Sequence, residues 1–332
     1  MAEQSFSVFP RFVVWVSILS FLGGCVDTGG DGTPGPGGPS EASESPTRIV
    51  AIGDLHGDLD AARAALRLAG AIDGNDRWIG ADMAVVQTGD ILDRGDQESE
   101  IMALFDRLGE EAEAVGGAVH VLNGNHELMN AYLDYRYVTD GGFADFGEEV
   151  ATEAGGGEAG TLESPDSLLA SFDPSQRQRV AAFRPGGPVA QMLAQRPFEL
   201  VLGTTVFTHG GILPEHLDRG LDNLEAEVHA WLLGEVPQPD WIRGDRSPVW
   251  TRLYSSEPDL AACDTLSQVL DRLGVQRMVV GHTVQSTGIT SFCGGRVWCI
   301  DVGMAAHYGG QPEVLEIQGD VVRGLRPNSP VY

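Results

Sequence analysis

A glycine-bounded stretch, Gly89-Asp90-Ile91-Leu92-Asp93-Arg94-Gly95, puts two carboxylates and a guanidinium on one short loop. Four more polar clusters punctuate the chain: Gly53-Asp54-Leu55-His56-Gly57, Gly124-Asn125-His126-Glu127, His209-Gly210-Gly211 and Gly281-His282-Thr283. Carboxylate, amide oxygen and imidazole are donors for hard-to-borderline divalent cations. Asp54, His56, Asp90, Asn125, His209 and His282 form such a set. With Asp90 as a shared carboxylate they suit two ions about 3.5–4 Å apart, an arrangement that activates water and neutralises a phosphoryl group attacked in line. Arg94 adds a planar fork that matches phosphate oxygens. His126 lies beside a ligand, where it can protonate a leaving oxygen, and Asp93 can hold its ring in the right tautomer.

Any one of these clusters alone reads as a turn. Their order along the chain, each after an apolar run, makes the metal reading. Arg48–Ile52, residues 83–88 and Ala118–Leu122 have the character of short buried strands. Leu59–Ala69 and Gln97–Val115 between them carry apolar residues at helical spacing, with Ile101, Leu104, Phe105 and Leu108 on one face. Strand, helix, strand, helix, strand implies right-handed parallel βαβ units, so the first three loops open at one carboxyl-terminal sheet edge, where ligands bind in α/β folds. Strands resume at Leu200–Leu202 and Val206–Thr208, then at Arg277–Val280 after a helix over Leu266–Leu273, and at Val297–Ile300. Residues 131–198, with helices expected at Gln176–Phe183 and Val189–Gln195, read as an insertion over the mouth of the site.

The chain has 332 residues and a net charge of −27. Without a basic patch, that charge argues against nucleic-acid partners. Phe12–Leu22 is apolar but shorter than the roughly 20 residues a membrane-spanning helix needs. It ends in Leu22-Gly23-Gly24-Cys25, which resembles the lipobox of bacterial lipoproteins. The resemblance implies a signal peptide over 1–24 and membrane attachment through lipid on Cys25. Val26, where an Asp would mark inner-membrane retention, favours the outer membrane of a bacterial envelope, with the domain facing the periplasm or the surface. Residues 25–47 are Gly/Pro/Ser/Thr-rich and read as a disordered tether, leaving 48–325 as one catalytic domain.

Taken together, the five clusters resemble the signature of the phosphoprotein phosphatases, the PPP superfamily of calcineurin-like metallophosphoesterases. Asn123–Asn130, Tyr135–Thr139, Thr208–His216, Gly281–Gln285 and Val297–Met304 resemble its Shewanella-like, bacterial-type branch. The resemblance spans roughly 48 to 318 and is thin from 144 to 175. It implies an α/β fold with a central β-sandwich of mixed sheets flanked by helices and a dimetal site at the strand carboxyl ends. It assigns Asp54, His56 and Asp90 to one ion, and Asp90, Asn125, His209 and His282 to the other. His126 with Asp93 matches the general acid, Arg94 one phosphate arginine, and Arg252 in Val249-Trp250-Thr251-Arg252 the second. The implied cofactors are two divalent ions, Mn foremost with Fe, Zn or Mg as alternatives. The implied activity is one-step hydrolysis of phosphomonoesters on proteins, or of small phosphomonoesters, by a metal-bound hydroxide.

Two other functions use similar residues. A dinucleoside polyphosphate hydrolase would want basic residues at the mouth, and none stand out. A lipid-anchored, catalytically inactive binding protein would have lost a ligand, and none is lost. Phosphodiesterase relatives usually carry a second His two places after the last one, where this chain has Val284. His216 and His229 read as exposed, His120 as a core residue, Asp58 as a helix cap, and Arg136 as half of a surface ion pair. If Cys25 is lipidated, export permits a bridge among the remaining cysteines. Cys293 and Cys299 flank a hairpin turn, where a bridge is geometrically demanding, so Cys263–Cys293 is the favoured pair with Cys299 left buried, and the pairing stays open.

Overall fold

In the computed structural model, the described residues are 46–146 and 165–327. The stretch expected to be a signal segment (1–24), Cys25 and most of the expected tether lie outside them, as does part of the expected insertion. Among the described residues, no helix is long and apolar enough to cross a membrane.

Two five-stranded sheets form the frame. The first sheet contains β1 (Ile49–Ile52), β2 (Ala84–Gln87), β3 (Ala118–Val121), β9 (Val314–Gln318) and β10 (Val321–Leu325), in the order β10-β9-β1-β2-β3. β1, β2 and β3 run parallel, with Ile49 opposite Ala84 and Ala84 opposite Ala118. β9 and β10 add antiparallel strands at the other edge. The second sheet contains β4 (Glu199–Leu202), β5 (Thr205–Thr208), β6 (Arg277–Val280), β7 (Thr290–Phe292) and β8 (Val297–Cys299), in the order β4-β5-β6-β8-β7. β5, β6 and β8 are parallel; the outer pairs are antiparallel.

The two-residue period of the strands sorts side chains into layers. Ile49, Ala51, Ala84 and Val86 join Phe207, Val279 and Ile300 in one cluster that contains residues of both sheets. Val50, Ile52 and Val85 belong to a second cluster with α1 (Leu59–Ala69) and α2 (Glu98–Glu113). Val206, Met278 and Val280 belong to a third. That cluster includes Leu266, Val269 and Leu270, which lie in the helix Leu260–Leu273. The mixed sandwich flanked by helices is the expected α/β architecture.

The shorter helices are α3 (Asn125–Ala131), α4 (Asp140–Asp145), α5 (Pro165–Ala170), α6 (Arg177–Phe183), α7 (Pro188–Ala194), α8 (Pro214–Arg219) and α9 (Leu221–Leu232); α10 is Leu260–Leu273. Asp58 caps α1 as expected, its Oδ1 accepting from Ala61 N at 2.9 Å. α10 starts six residues before the expected Leu266, because Asp259 caps it by accepting from Ala262 N at 2.8 Å. The Cys263–Cys293 bridge is present, and Cys299 is free and buried.

Two histidines differ from expectation. His216 is buried, because its Nδ1 accepts from Leu213 N (2.9 Å) at the start of α8 and its Nε2 donates to Arg246 O (2.7 Å). His120 is only half-buried, since β3 is an edge strand with one side uncovered. Arg136 pairs with Asp134 at the surface, as anticipated.

Candidate active site

The parallel strands deliver the polar residues. β1 leads to Asp54 and His56, β2 to Asp90, β3 to Asn125, β5 to His209 and β6 to His282. All six are buried. The loops that carry them are strained where they turn: His56, Asp90, Asp93, Arg94 and His282 all have φ between 45° and 69°. Left-handed backbone at non-glycine residues clusters where surrounding contacts enforce it for function.

Glu127 enforces much of that conformation. Its Oε2 accepts from Asp90 N (2.8 Å) and Gly124 N (2.7 Å), and its Oε1 from Ile91 N (2.8 Å) and Leu92 N (3.2 Å). One carboxylate therefore ties the Asp90 loop to the start of α3. Gly89 and Gly124 permit this approach: a Cβ at Gly89 would strike the Gly124 backbone, and one at Gly124 would strike the Asp90 carboxylate. Asp90 Oδ1 accepts from His126 N at 2.9 Å, which leaves Oδ2 facing the imidazoles.

Asp90 stands at the junction of two donor groups. The ligand atoms of His56, Asp90 and His126 lie within 4.8 Å of one another, and so do those of Asp90, His209 and His282. Asp54 Oδ2 lies 3.9 Å from His56 Nε2, and Asn125 Oδ1 lies 2.9 Å from His209 Nε2. Backbone carbonyls fix the rings. His56 Nδ1 pairs with Leu92 O (3.0 Å) and His209 Nδ1 with Thr88 O (2.9 Å), so both Nε2 atoms turn toward Asp90 Oδ2; His282 Nε2 pairs with Trp250 O (3.1 Å), which leaves Nδ1 as its other ring nitrogen.

The residues present fit a pair of divalent cations. Burial, reinforced by neighbouring positive charge, lowers His56 to about 3 and His282 to about 2, so both rings are neutral lone-pair donors. Burial, then Asp301 and Asp90, pushes Asp54 well above the usual carboxylate range. Several carboxyls crowd one buried space and repel one another, which is the field a dication relieves.

A cleft of about 280 Å³ opens above these groups. Arg94 and Arg252 both line it, together with His126, Tyr137, Trp250 and Tyr308. Arg94 reaches His56 Nε2 at 3.0 Å, and its guanidinium lies 4.8 Å from the Tyr137 ring centre and 5.1 Å from that of Tyr308. Arg252 is anchored by donating to His282 O (2.7 Å) and Thr283 Oγ1 (2.9 Å). His126 Nδ1 pairs with Asp93 Oδ2 at 2.6 Å, and His126 Nε2 lies 3.8 Å from Asp90 Oδ2. Burial opposes charge on His126, but Asp90 and Asp93 outweigh it and raise its pKa. With Nδ1 on Asp93, His126 lines the cleft through its other edge.

All ten anticipated site residues therefore meet in one place. Sequence reasoning passed over Glu127's anchoring role, Tyr137, Tyr308 and Asp301. Asp301 is buried, burial pushes its pKa to about 6, and its carboxyl hydrogen-bonds that of Asp54. Its Asp-Val-Gly follows β8 as the other clusters follow their strands, and that was the available signal. The loop Ala305–Tyr308 reaches the site through Tyr308, while its His307 is exposed.

A family model described as calcineurin-like phosphoesterase matches residues 47–286. Shewanella-like protein phosphatase 2 of Arabidopsis thaliana is 39% identical over 349 residues, covering 95% of this chain and 88% of the relative. Shewanella-like protein phosphatase 1 of Plasmodium berghei is 28% identical, covering 84% and 74%. A solved cold-active protein tyrosine phosphatase matches at 25% identity with a TM-score of 0.66, covering 84% of this chain and 75% of that one. The cold-active protein-tyrosine phosphatase of a psychrophilic Shewanella species matches at 24% identity with a TM-score of 0.65, covering 84% and 80%. The span 47–286 contains the loops that carry Asp54, His56, Asp90, Asn125, His209 and His282, and the chain belongs to the calcineurin-like phosphoesterase family, in its Shewanella-like protein phosphatase branch: it is a metal-dependent phosphatase.

Proposed function

We propose that the protein hydrolyses phosphomonoesters on protein side chains, phosphotyrosine ahead of phosphoserine and phosphothreonine. The observation that carries this reading is Asp90 at the junction of two donor groups, beneath a cleft that holds two arginines. Asp54, His56 and Asp90 would hold one cation, and Asp90, Asn125, His209 and His282 the other, with Mn the first choice for this mix of oxygen and nitrogen donors. Bound there, two divalent cations neutralise phosphoryl charge and make water acidic enough to be a nucleophile near neutral pH. Arg94 and Arg252 grip the phosphate oxygens and orient the ester. His126 donates the Nε2 proton to the departing oxygen, while Asp93 keeps Nδ1 occupied. The rings of Tyr137, Tyr308 and Trp250 at the cleft favour an aryl ester over an alkyl one.

By its likeness to a lipobox, the segment ending at Cys25 supports attachment to a bacterial envelope membrane, with residues 25–47 as tether and 48–325 as the catalytic domain.

Two assays test the reading. With added manganese, the protein should hydrolyse p-nitrophenyl phosphate and, in a panel, phosphotyrosine peptides faster than phosphoserine or phosphothreonine peptides. Turnover of diadenosine tetraphosphate alone would transfer the assignment to a polyphosphate hydrolase. His126→Gln should slow hydrolysis of phenyl phosphate by about 10²–10⁴-fold, the range of a lost general acid. The loss on p-nitrophenyl phosphate should be much smaller, because p-nitrophenolate leaves without needing a proton.

A further inference from the structure

Arg179 belongs to α6, in the stretch read from sequence as an insertion, yet it is fully buried behind the acid. All five of its N–H donors have partners. Nε donates to Asn130 Oδ1 (2.8 Å), Nη1 to Glu98 Oε2 (2.5 Å) and Gly142 O (2.8 Å), and Nη2 to Glu98 Oε1 (3.2 Å) and Asp93 Oδ1 (3.4 Å). The guanidinium lies 5.2 Å from the ring centre of Phe146 and 4.8 Å from that of Phe183. No part of it touches the cleft.

Three of its four hydrogen-bond partners, Asn130, Glu98 and Asp93 itself, bear on one carboxyl group. Asp93 Oδ1 accepts from Asn130 Nδ2 at 2.9 Å as well as from Arg179. Because Arg179 occupies Asn130 Oδ1, the amide is held with its nitrogen toward Asp93 rather than flipped. Asp93 N donates to Glu98 Oε1, the oxygen that Arg179 also contacts. With Oδ1 and the backbone both held, Oδ2 is left for the 2.6 Å bond to His126 Nδ1.

We propose that Arg179 is a positioning residue for leaving-group protonation: it locks the Asp93 carboxylate, through direct contact and through Asn130 and Glu98, so that the His126 imidazole presents Nε2 to the ester oxygen. This rests on His126 as the acid. In the step it serves, water supplies the new bond to phosphorus as the ester P–O bond breaks. The Nε2 proton passes to the departing oxygen, the ring becomes neutral, and Asp93 stays ionised. Lysine has a compact ammonium in place of the five-donor fork, so Arg179→Lys retains the buried charge but cannot hold Asp93, Glu98 and Asn130 together.

The test is a leaving-group series of aryl phosphates, from p-nitrophenyl phosphate to phenyl phosphate, whose phenol is about as basic as tyrosine at pKa ~10. Wild type, Arg179→Lys, Asp93→Asn and His126→Gln are compared under saturating manganese, with near-ultraviolet circular dichroism confirming the fold. Arg179→Lys should lose about tenfold in kcat on phenyl phosphate, a fraction of what a general acid supplies. It should lose less than about twofold on p-nitrophenyl phosphate, with KM unchanged. If its fold is perturbed, the Arg179→Met/Glu98→Gln double variant, which removes both buried charges, should steepen the leaving-group dependence in the same way.

A structural clamp with no link to the acid predicts equal losses across the series. That result in the Arg179 variants, with a steep dependence retained in His126→Gln and Asp93→Asn, overturns the proposal alone. A flat series in His126→Gln removes the acid itself, and with it the assignment on which the proposal rests.

Discussion

Asp90→Asn is expected to reduce turnover by at least about 10³-fold, on the scale of losing a metal centre's contribution to phosphoryl transfer, while the fold survives. Asparagine keeps the shape of the side chain and one acceptor for His126 N, now 2.9 Å from Asp90 Oδ1. The Glu127 bonds to the loop use the Asp90 backbone and are untouched. What is lost is the anionic oxygen common to both donor groups. In metal-free protein burial opposes the Asp90 charge, but the facing His209, His126 and His56 imidazoles outweigh it and hold the carboxyl well below the usual range, so the change removes their counter-charge and the melting temperature should fall modestly. A thermal melt alongside a kinetic assay checks both halves.

The second large effect is on stability. Stripping metal with a chelator should lower the melting temperature of the wild-type protein by on the order of 10 °C and abolish hydrolysis. An ion present at 100 times its dissociation constant stabilises the native state by about 2.7 kcal/mol. Two such ions give about 5 kcal/mol, and for a domain of this size each kcal/mol is about 2–4 °C. Manganese should restore both properties. Asp90→Asn should show little of the manganese-induced shift, since each site loses the ligand the two share.

The proposed ligand residues were readable because each is fixed locally: an apolar strand running into a short glycine-containing loop that carries an aspartate, asparagine or histidine. Their convergence followed from the parallel strand order. The Cys263–Cys293 bridge was also anticipated. Residues whose value depends on distant partners were not readable. Arg179 stands in Gln176-Arg177-Gln178-Arg179, which looks like a solvated helix face; only the approach of Glu98, Asp93 and Asn130 makes it a buried clamp. Glu127 was visible as part of a motif, but its hold on four backbone N–H groups appears only once the Asp90 loop folds over α3. The strand β9 was missed because its alternation is interrupted by Glu316, which is buried yet paired with Arg48 (2.7 Å) and Arg323 (2.6 Å). Such an acid reads as surface in sequence, yet in the sheet it ties β9 to the arginines at β1 and β10.

The central claim is a two-ion phosphatase centre organised by Asp90. Titrating metal-free protein with manganese, while counting bound ions and measuring hydrolysis of p-nitrophenyl phosphate, tests it most directly. Binding should saturate at two ions per chain, activity should require the second, and Asp90→Asn should fail to reach this state. Saturation at a single ion with full activity, or undiminished turnover in metal-loaded Asp90→Asn, would contradict it.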